Sequence, residues 1–249
     1  MLALPGLFSF GGHLRKWARL MNRPVLLVDL LGNGHSDAPK DPAQYALFAQ
    51  AERLVALLDH LSFPQVDCVG FSLGGMLAQT LLVRNPERLG QVVLVATQAA
   101  TNERLRTIIE NVFAQHRCGV SARSMWRMFH VLCFSAEFLA PANVWPMLDL
   151  LGQGLSPSEA SVVGQFQQLM SFNMVEPISA SPPAVQNKVR AVLAGSADFL
   201  MPDQQKLAAL WHQTAPVLFP SAGHSVWIEC PALVAQAVQN AIPIDTSSR

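Results

Sequence analysis

The stretch Val66-Asp67-Cys68-Val69-Gly70-Phe71-Ser72-Leu73-Gly74-Gly75-Met76-Leu77-Ala78-Gln79 decides how the rest of the chain is read. It begins as a short apolar run suited to a buried strand. It then turns through glycine-flanked Ser72 and continues as a helical pattern with Met76, Leu77, Thr80 and Leu81 on one face. Gly70 and Gly74 suit a turn so sharp that no Cβ fits beside the serine. A strand, a tight turn and a helix around G-x-S-x-G form the setting of a nucleophile elbow. The turn lifts the hydroxyl above the sheet and aims the new helix's free N–H groups at the same point.

Upstream, Met1 to Leu4 is a short apolar start followed by Pro5-Gly6-Leu7-Phe8, and Gly12 to Met21 has helical spacing. Pro24 opens Val25-Leu26-Leu27-Val28-Asp29-Leu30, an almost continuous apolar run, and Tyr45 to Leu61 repeats apolar residues at helical spacing until Pro64. Downstream, Val92 to Ala96 is another buried strand. Alternating strands and helices of this kind predict a parallel sheet with right-handed crossovers, covered on both faces. Between Gln98 and about Ala184 the rhythm breaks into helices, one of them launched by the capping box Ser156-Pro157-Ser158-Glu159. The expected organisation is an α/β core at 1–97 and 185–249, with a helical cap inserted at 98–184. Strand character returns at Val189–Ala194 and Pro216–Phe219, Pro231 opens a last helix, and Ile244 to Arg249 reads as a frayed tail.

Composition narrows the function classes. Lys+Arg and Asp+Glu balance at 17 each, with no basic cluster, which gives no reason to expect nucleic acid or anionic membranes as partners. Apolar residues reach 51 %, but in short runs, and none approaches the ~20 residues of a membrane helix. The start of the chain has no basic region leading into an apolar one, so a cytoplasmic location is expected. Cys68, Cys118, Cys133 and Cys230 are far apart and read as buried free thiols, so neither metal nor cofactor is expected.

A serine hydroxyl needs a base to take its proton, and the base needs a third group to orient it. Asp198 follows one predicted strand and His224 follows the next, in a Gly-His turn. Loops at the carboxyl ends of parallel strands converge on the side of the sheet where Ser72 stands. Asp203 is the alternative acid. His13, His60, His116, His130 and His212 fall in helical patterns and read as surface or packing residues; His35 reads as a structural loop residue, and Asp29 as a cap on its turn.

Asp29-Leu-Leu-Gly-Asn-Gly-His-Ser-Asp37, Gly70-Phe-Ser-Leu-Gly-Gly75, Arg84-Asn-Pro-Glu-Arg88, Gly195-Ser-Ala-Asp198 and Gly223-His224 together resemble the α/β-hydrolases, in particular small bacterial esterase, lactonase and perhydrolase-type members. The resemblance implies an α/β-hydrolase fold, Ser72 as nucleophile, His224 as general base, Asp198 as its orienting acid, and an oxyanion hole from the backbone N–H groups of Leu7 and Leu73. The family usually has a histidine where this chain has Pro5. It also has two strands before the segment that starts here at Met1. About six mostly parallel strands are therefore expected, with Val25–Leu30 an apolar edge that a homodimer would cover.

The expected activity is a serine hydrolase acting on a small hydrophobic ester, lactone or thioester through an acyl-enzyme. C–C bond hydrolysis, perhydrolysis, acyl transfer and a non-catalytic binding module are the alternatives. Met125, Trp126, Phe129, Phe172 and Met174 from the cap, with Phe8, Phe71, Phe199 and Trp227 from the core, are the candidate lining of the substrate pocket.

Overall fold

The apolar runs become parallel strands, and the central ones are buried because helices cover the sheet on both faces. A computed structural model describes residues 1–120, 122–151 and 158–244, apart from the side chains of Ala122, Arg123, Trp126 and His130. In chain order the elements are β1 (Leu2–Leu4), α1 (Arg15–Ala18), β2 (Leu26–Leu27), α2 (Leu47–His60), β3 (Val66–Phe71), α3 (Leu73–Arg84) and β4 (Leu89–Val95). Then come α4 (Glu103–Arg117), α5 (Ala122–Cys133), α6 (Ala136–Leu139), α7 (Val144–Leu151), α8 (Glu159–Ser171), α9 (Val175–Ser179) and α10 (Pro183–Gln186). The chain closes with β5 (Val189–Gly195), α11 (Met201–Leu210), β6 (Val217–Phe219), α12 (Val226–Glu229) and α13 (Pro231–Ala241).

The sheet order is β2-β1-β3-β4-β5-β6, every pair parallel. Its register sets Leu4 beside Gly70, Phe71 beside Val95, and Gly195 beside Phe219, so the ends of β1, β3, β5 and β6 open toward one edge. Period-two alternation sends Cys68, Val92, Leu94 and Val192 to one buried layer, and Val69, Phe71, Val93, Val95 and Leu193 to the other. Two apolar faces per strand account for the near-continuous hydrophobic runs. α3 lies between the sheet and α2, with residues 73–82 all buried; they are apolar or small except Gln79, whose amide donates to Gly75 O and Gln98 O.

Three expectations need correction. The run Val25–Leu30 yields only a two-residue strand, because Asp29 turns the chain: its carboxylate accepts from Gly11 N–H at 2.8 Å and His35 N–H at 2.9 Å. β2 is an edge of the sheet as expected, but Leu26 and Leu27 are half-buried; the more exposed apolar edge is β6, where Val217 and Leu218 are 48 % and 45 % exposed. The helix from Glu159 is capped by Ser158, whose hydroxyl accepts from Ser161 N–H; Ser156 and Pro157 lie outside the described residues. Of the cysteines, Cys68 is buried, Cys133 and Cys230 are half-buried, and Cys118, the cap after α4, is exposed.

Among the described residues seven helices, α4 to α10, run between β4 and β5. Among the described residues the one pairing of extended backbone there is an antiparallel bridge between Ala100 and Asn173. Gly164 of α8 packs against Pro42 and Tyr45, where an added Cβ would stand 2.6 Å from the Pro42 carbonyl oxygen. Arg127 of α5 holds Asp149 of α7 through two N–H donors at 3.0 and 2.7 Å. No helix among the described residues is long and apolar enough to cross a membrane.

Candidate active site

Ser72 follows β3 with φ 52° and ψ −116°, a backbone conformation that costs a non-glycine residue on the order of 1–3 kcal/mol. Surrounding bonds hold it there: Ser72 N–H donates to Val95 O at 2.9 Å, and the Thr97 hydroxyl donates to Ser72 O at 2.8 Å. Phe8 and Ala96, each at φ 49°, line the same cavity as Ser72, so three residues with left-handed backbone meet at one opening. The flanking glycines have steric reasons. A Cβ at Gly70 would stand 2.5 Å from Gly74 O, and one at Gly74 would stand 2.1 Å from Leu4 O.

His224 follows β6 and Asp198 follows β5. The His224 Nε2 lies 2.8 Å from the Ser72 hydroxyl oxygen, and its Nδ1 lies 3.1 and 3.0 Å from the two Asp198 carboxylate oxygens. A carboxylate only accepts, so Nδ1 carries the hydrogen and Nε2 accepts from the serine hydroxyl. Asp198, 4 % exposed, also accepts from Leu200 N–H at 2.8 Å and Gln204 Nε2 at 2.6 Å. Burial pushes this carboxyl up, but the charge and hydrogen bond of His224, with the Leu200 and Gln204 donors, outweigh it and hold the group below its ordinary value. Asp203 is engaged elsewhere, accepting from Asn102 and pairing with Lys206 at 3.6 Å.

Leu7 sits in a tight turn closed by Ser9 N–H donating to Gly6 O at 3.1 Å. The turn crosses Ser72 so closely that a Cβ on Gly6 would lie 3.2 Å from the Ser72 Cβ. Leu73 is the first residue of α3, where backbone N–H groups have no acceptor within the helix. A cavity of about 120 Å³ opens above Ser72 and His224, and its lining includes Leu7, Phe8, Phe129, Phe199 and Trp227. Phe199 and Trp227 also flank the His224 ring at 5.2 and 6.1 Å.

Other residues expected at the pocket do not line this cavity. Phe71 precedes Ser72 and therefore faces the opposite side of the sheet, fully buried between Trp17 and Trp227. Phe172 is buried beside the Ala100–Asn173 bridge, Met174 donates its N–H to Ala99 O at 2.7 Å, and Met125 packs on the main core. The Trp126 side chain lies outside the described residues.

His13, read from sequence as a packing residue, lines the cavity instead. Its Nε2 donates to Leu151 O at 3.0 Å, which leaves Nδ1 to accept from the Ser9 hydroxyl at 2.9 Å. Burial lowers its pKa below the ordinary 6.5, against weaker opposing effects of Leu151 and Asp29. The signal for it was a serine and a histidine four residues apart, directly after the Gly6 turn.

The profile of the family described as "alpha/beta hydrolase fold" matches residues 2–117, starting at β1 and running through the serine elbow into α4. This chain has the α/β-hydrolase fold. It is 28 % identical over 229 residues to 2-hydroxymuconate semialdehyde hydrolase of Pseudomonas sp. strain CF600, a match covering 87 % of this chain and 75 % of the relative. It is 38 % identical over 79 residues to 3-oxoadipate enol-lactonase 2 of Acinetobacter baylyi, covering 32 % of this chain and 29 % of that protein. Its fold matches that of an α/β-hydrolase enzyme from a Medee basin deep-sea metagenome library with a TM-score of 0.82 at 19 % identity, over 100 % of this chain and 90 % of the other.

Proposed function

We propose that this hydrolase cleaves a short, uncharged carboxylic ester, lactone or thioester through an acyl-enzyme on Ser72. The observation that carries the reading is the position of His224, hydrogen-bonded at one nitrogen to Ser72 and at the other to buried Asp198. In the first step Ser72 Oγ attacks the substrate carbonyl carbon while His224 Nε2 takes the hydroxyl proton. The carbonyl oxygen gains negative charge and is met by the N–H groups of Leu7 and Leu73; losing one such donor typically costs about 10²–10³ in kcat. The leaving oxygen or sulfur departs with the proton from His224. A water then attacks the acyl-enzyme with His224 again as base, and Ser72 recovers its proton. Asp198 holds the imidazole in the required tautomer and balances the imidazolium formed in each half-reaction.

Cavity size and chemistry support the substrate class. An apolar cavity of about 150 Å³ holds benzene, so a space of about 120 Å³ suits an acyl group somewhat smaller than that ring. Among the described residues the lining has no lysine or arginine, and the desolvated His13 is held toward its neutral form, so a substrate carboxylate would lack a counter-charge.

A second reading, C–C bond hydrolysis on the same three residues, is favoured by the 87 % of this chain that aligns with 2-hydroxymuconate semialdehyde hydrolase. The deciding experiment compares turnover of short p-nitrophenyl esters, uncharged lactones and a ring-fission diketone by the purified chain and by Ser72→Ala. Ester or lactone turnover that is lost in Ser72→Ala supports the first reading. Turnover of the diketone alone supports the second, and equal turnover by both proteins refutes a role for Ser72.

A further inference from the structure

The turn that carries His224 is not held by the sheet alone. Ser225 N–H donates to Cys133 O at 2.8 Å, across to the last residue of α5. Glu229 of α12 accepts from Gly223 N–H at 3.0 Å and Ser135 N–H at 3.1 Å with one carboxylate oxygen, and from the Ser135 hydroxyl at 2.6 Å with the other. Ser135 Oγ in turn accepts from Phe138 N–H at 3.1 Å, capping α6. The contact is tight enough that a Cβ on Gly223 would stand 2.7 Å from Ser135 N and 2.8 Å from the Phe134 carbonyl carbon. Ser135 and Gly223 are buried. One carboxylate thus ties the residue before His224 to the α5–α6 junction, 94 residues away from Glu229 in the chain.

We infer that Glu229 is a positioning residue: it locks the His224 turn to the inserted helices, so that the α5–α6 junction sets where the imidazole stands over Ser72. The inference rests on the reading of His224 as the base. Without the carboxylate, the N–H groups of Gly223 and Ser135 lose their acceptor in a buried place, and the turn must shift to find another. A base displaced by about 1 Å costs on the order of 10²-fold in rate. Glutamine, by contrast, keeps an oxygen for the two N–H groups and offers an N–H to the Ser135 hydroxyl, which also accepts. Rescue by glutamine therefore separates hydrogen-bonded positioning from a need for charge.

The test compares wild type with Glu229→Ala, Glu229→Gln and Ser135→Ala. The first readout is the rate at which diethyl p-nitrophenyl phosphate modifies Ser72 in the folded fraction; the second is hydrogen exchange in peptides spanning 222–225 and 133–135. Glu229→Ala is expected to slow modification by about 10- to 100-fold, with exchange raised in both peptides. Glu229→Gln is expected to recover most of the rate, and Ser135→Ala to fall between the two. A folded Glu229→Ala with wild-type modification and wild-type exchange would overturn the inference. So would a Glu229→Ala whose only change is a lower melting temperature. If Glu229→Ala does not fold, Ser135→Ala decides on the same two readouts. Absence of modification in wild type would count against the proposed function, and the exchange measurement would still decide the clasp.

Discussion

Gly74 packs against Leu4 so closely that a Cβ at Gly74 would lie 2.1 Å from the Leu4 carbonyl oxygen and 2.6 Å from that of Pro5. The obstacle is backbone on both counts, so no side-chain rotation relieves it. This contact joins the start of the elbow helix to the end of β1, and it sets the distance between Ser72 and the Gly6–Ser9 turn. Gly74→Ala is therefore expected to destabilise the fold by about 3 kcal/mol or more, and to lower kcat in whatever remains folded. Denaturant unfolding monitored by tryptophan fluorescence measures the first effect. An alanine variant as stable as wild type would show that β1 and α3 separate freely.

Strain at the serine gives a second expectation. Glycine adopts φ 52° without the cost a Cβ imposes, whereas alanine keeps that cost. Ser72→Gly should be more stable than Ser72→Ala by about 1 kcal/mol, both being inactive. The comparison is made by chemical denaturation of the two variants side by side. Equal stabilities would mean that the backbone at Ser72 relaxes once the hydroxyl is gone.

Asp198→Asn should retain the fold and lower kcat by about 10⁴, since an amide holds the imidazole in the wrong tautomer. The same residue shapes acid stability. Its carboxyl is held below the ordinary 3.8 in the folded protein, so the folded state binds fewer protons than the unfolded one as pH falls toward that value. Its stabilising contribution is complete above 3.8 and is lost through the acid range beneath it. Unfolding free energy measured from pH 6 downward should therefore fall less steeply in Asp198→Asn than in wild type.

His13 acts nearer neutral pH by the same logic. Its lowered pKa means that below about pH 6.5 the unfolded chain takes up a proton that the folded chain resists. Stability should be unaffected above 6.5 and should decline as pH drops below it, and His13→Gln should remove that decline. A pH series of unfolding midpoints, wild type against His13→Gln, measures the difference.

How much could be read from the chain depends on how local each feature is. Ser72 was legible because strand, glycines and helix lie within fourteen consecutive residues. Asp198 and His224 were legible because each follows a strand, and parallel strands deliver such turns to one edge of the sheet. Phe71 was misread because adjacency in sequence to Ser72 means the opposite face in a strand. Phe172, Met174 and Met125 show the limit of helical spacing, which says that a residue is covered but not by what. Glu229 carries no local sign because its partner Ser135 lies 94 residues away, and His13, though Ser9 stands four residues before it, reaches the cavity through Leu151, 138 residues away.

The central claim is that the Ser72 hydroxyl, activated by His224, is the group that forms the acyl-enzyme. Intact-protein mass spectrometry after diethyl p-nitrophenyl phosphate treatment, followed by peptide mapping, tests it most directly. The expected result is a single phosphoryl adduct on Ser72 that forms together with loss of ester turnover and is absent from His224→Ala over the same time. An adduct on another residue, or full ester turnover by protein fully modified at Ser72, would contradict the account.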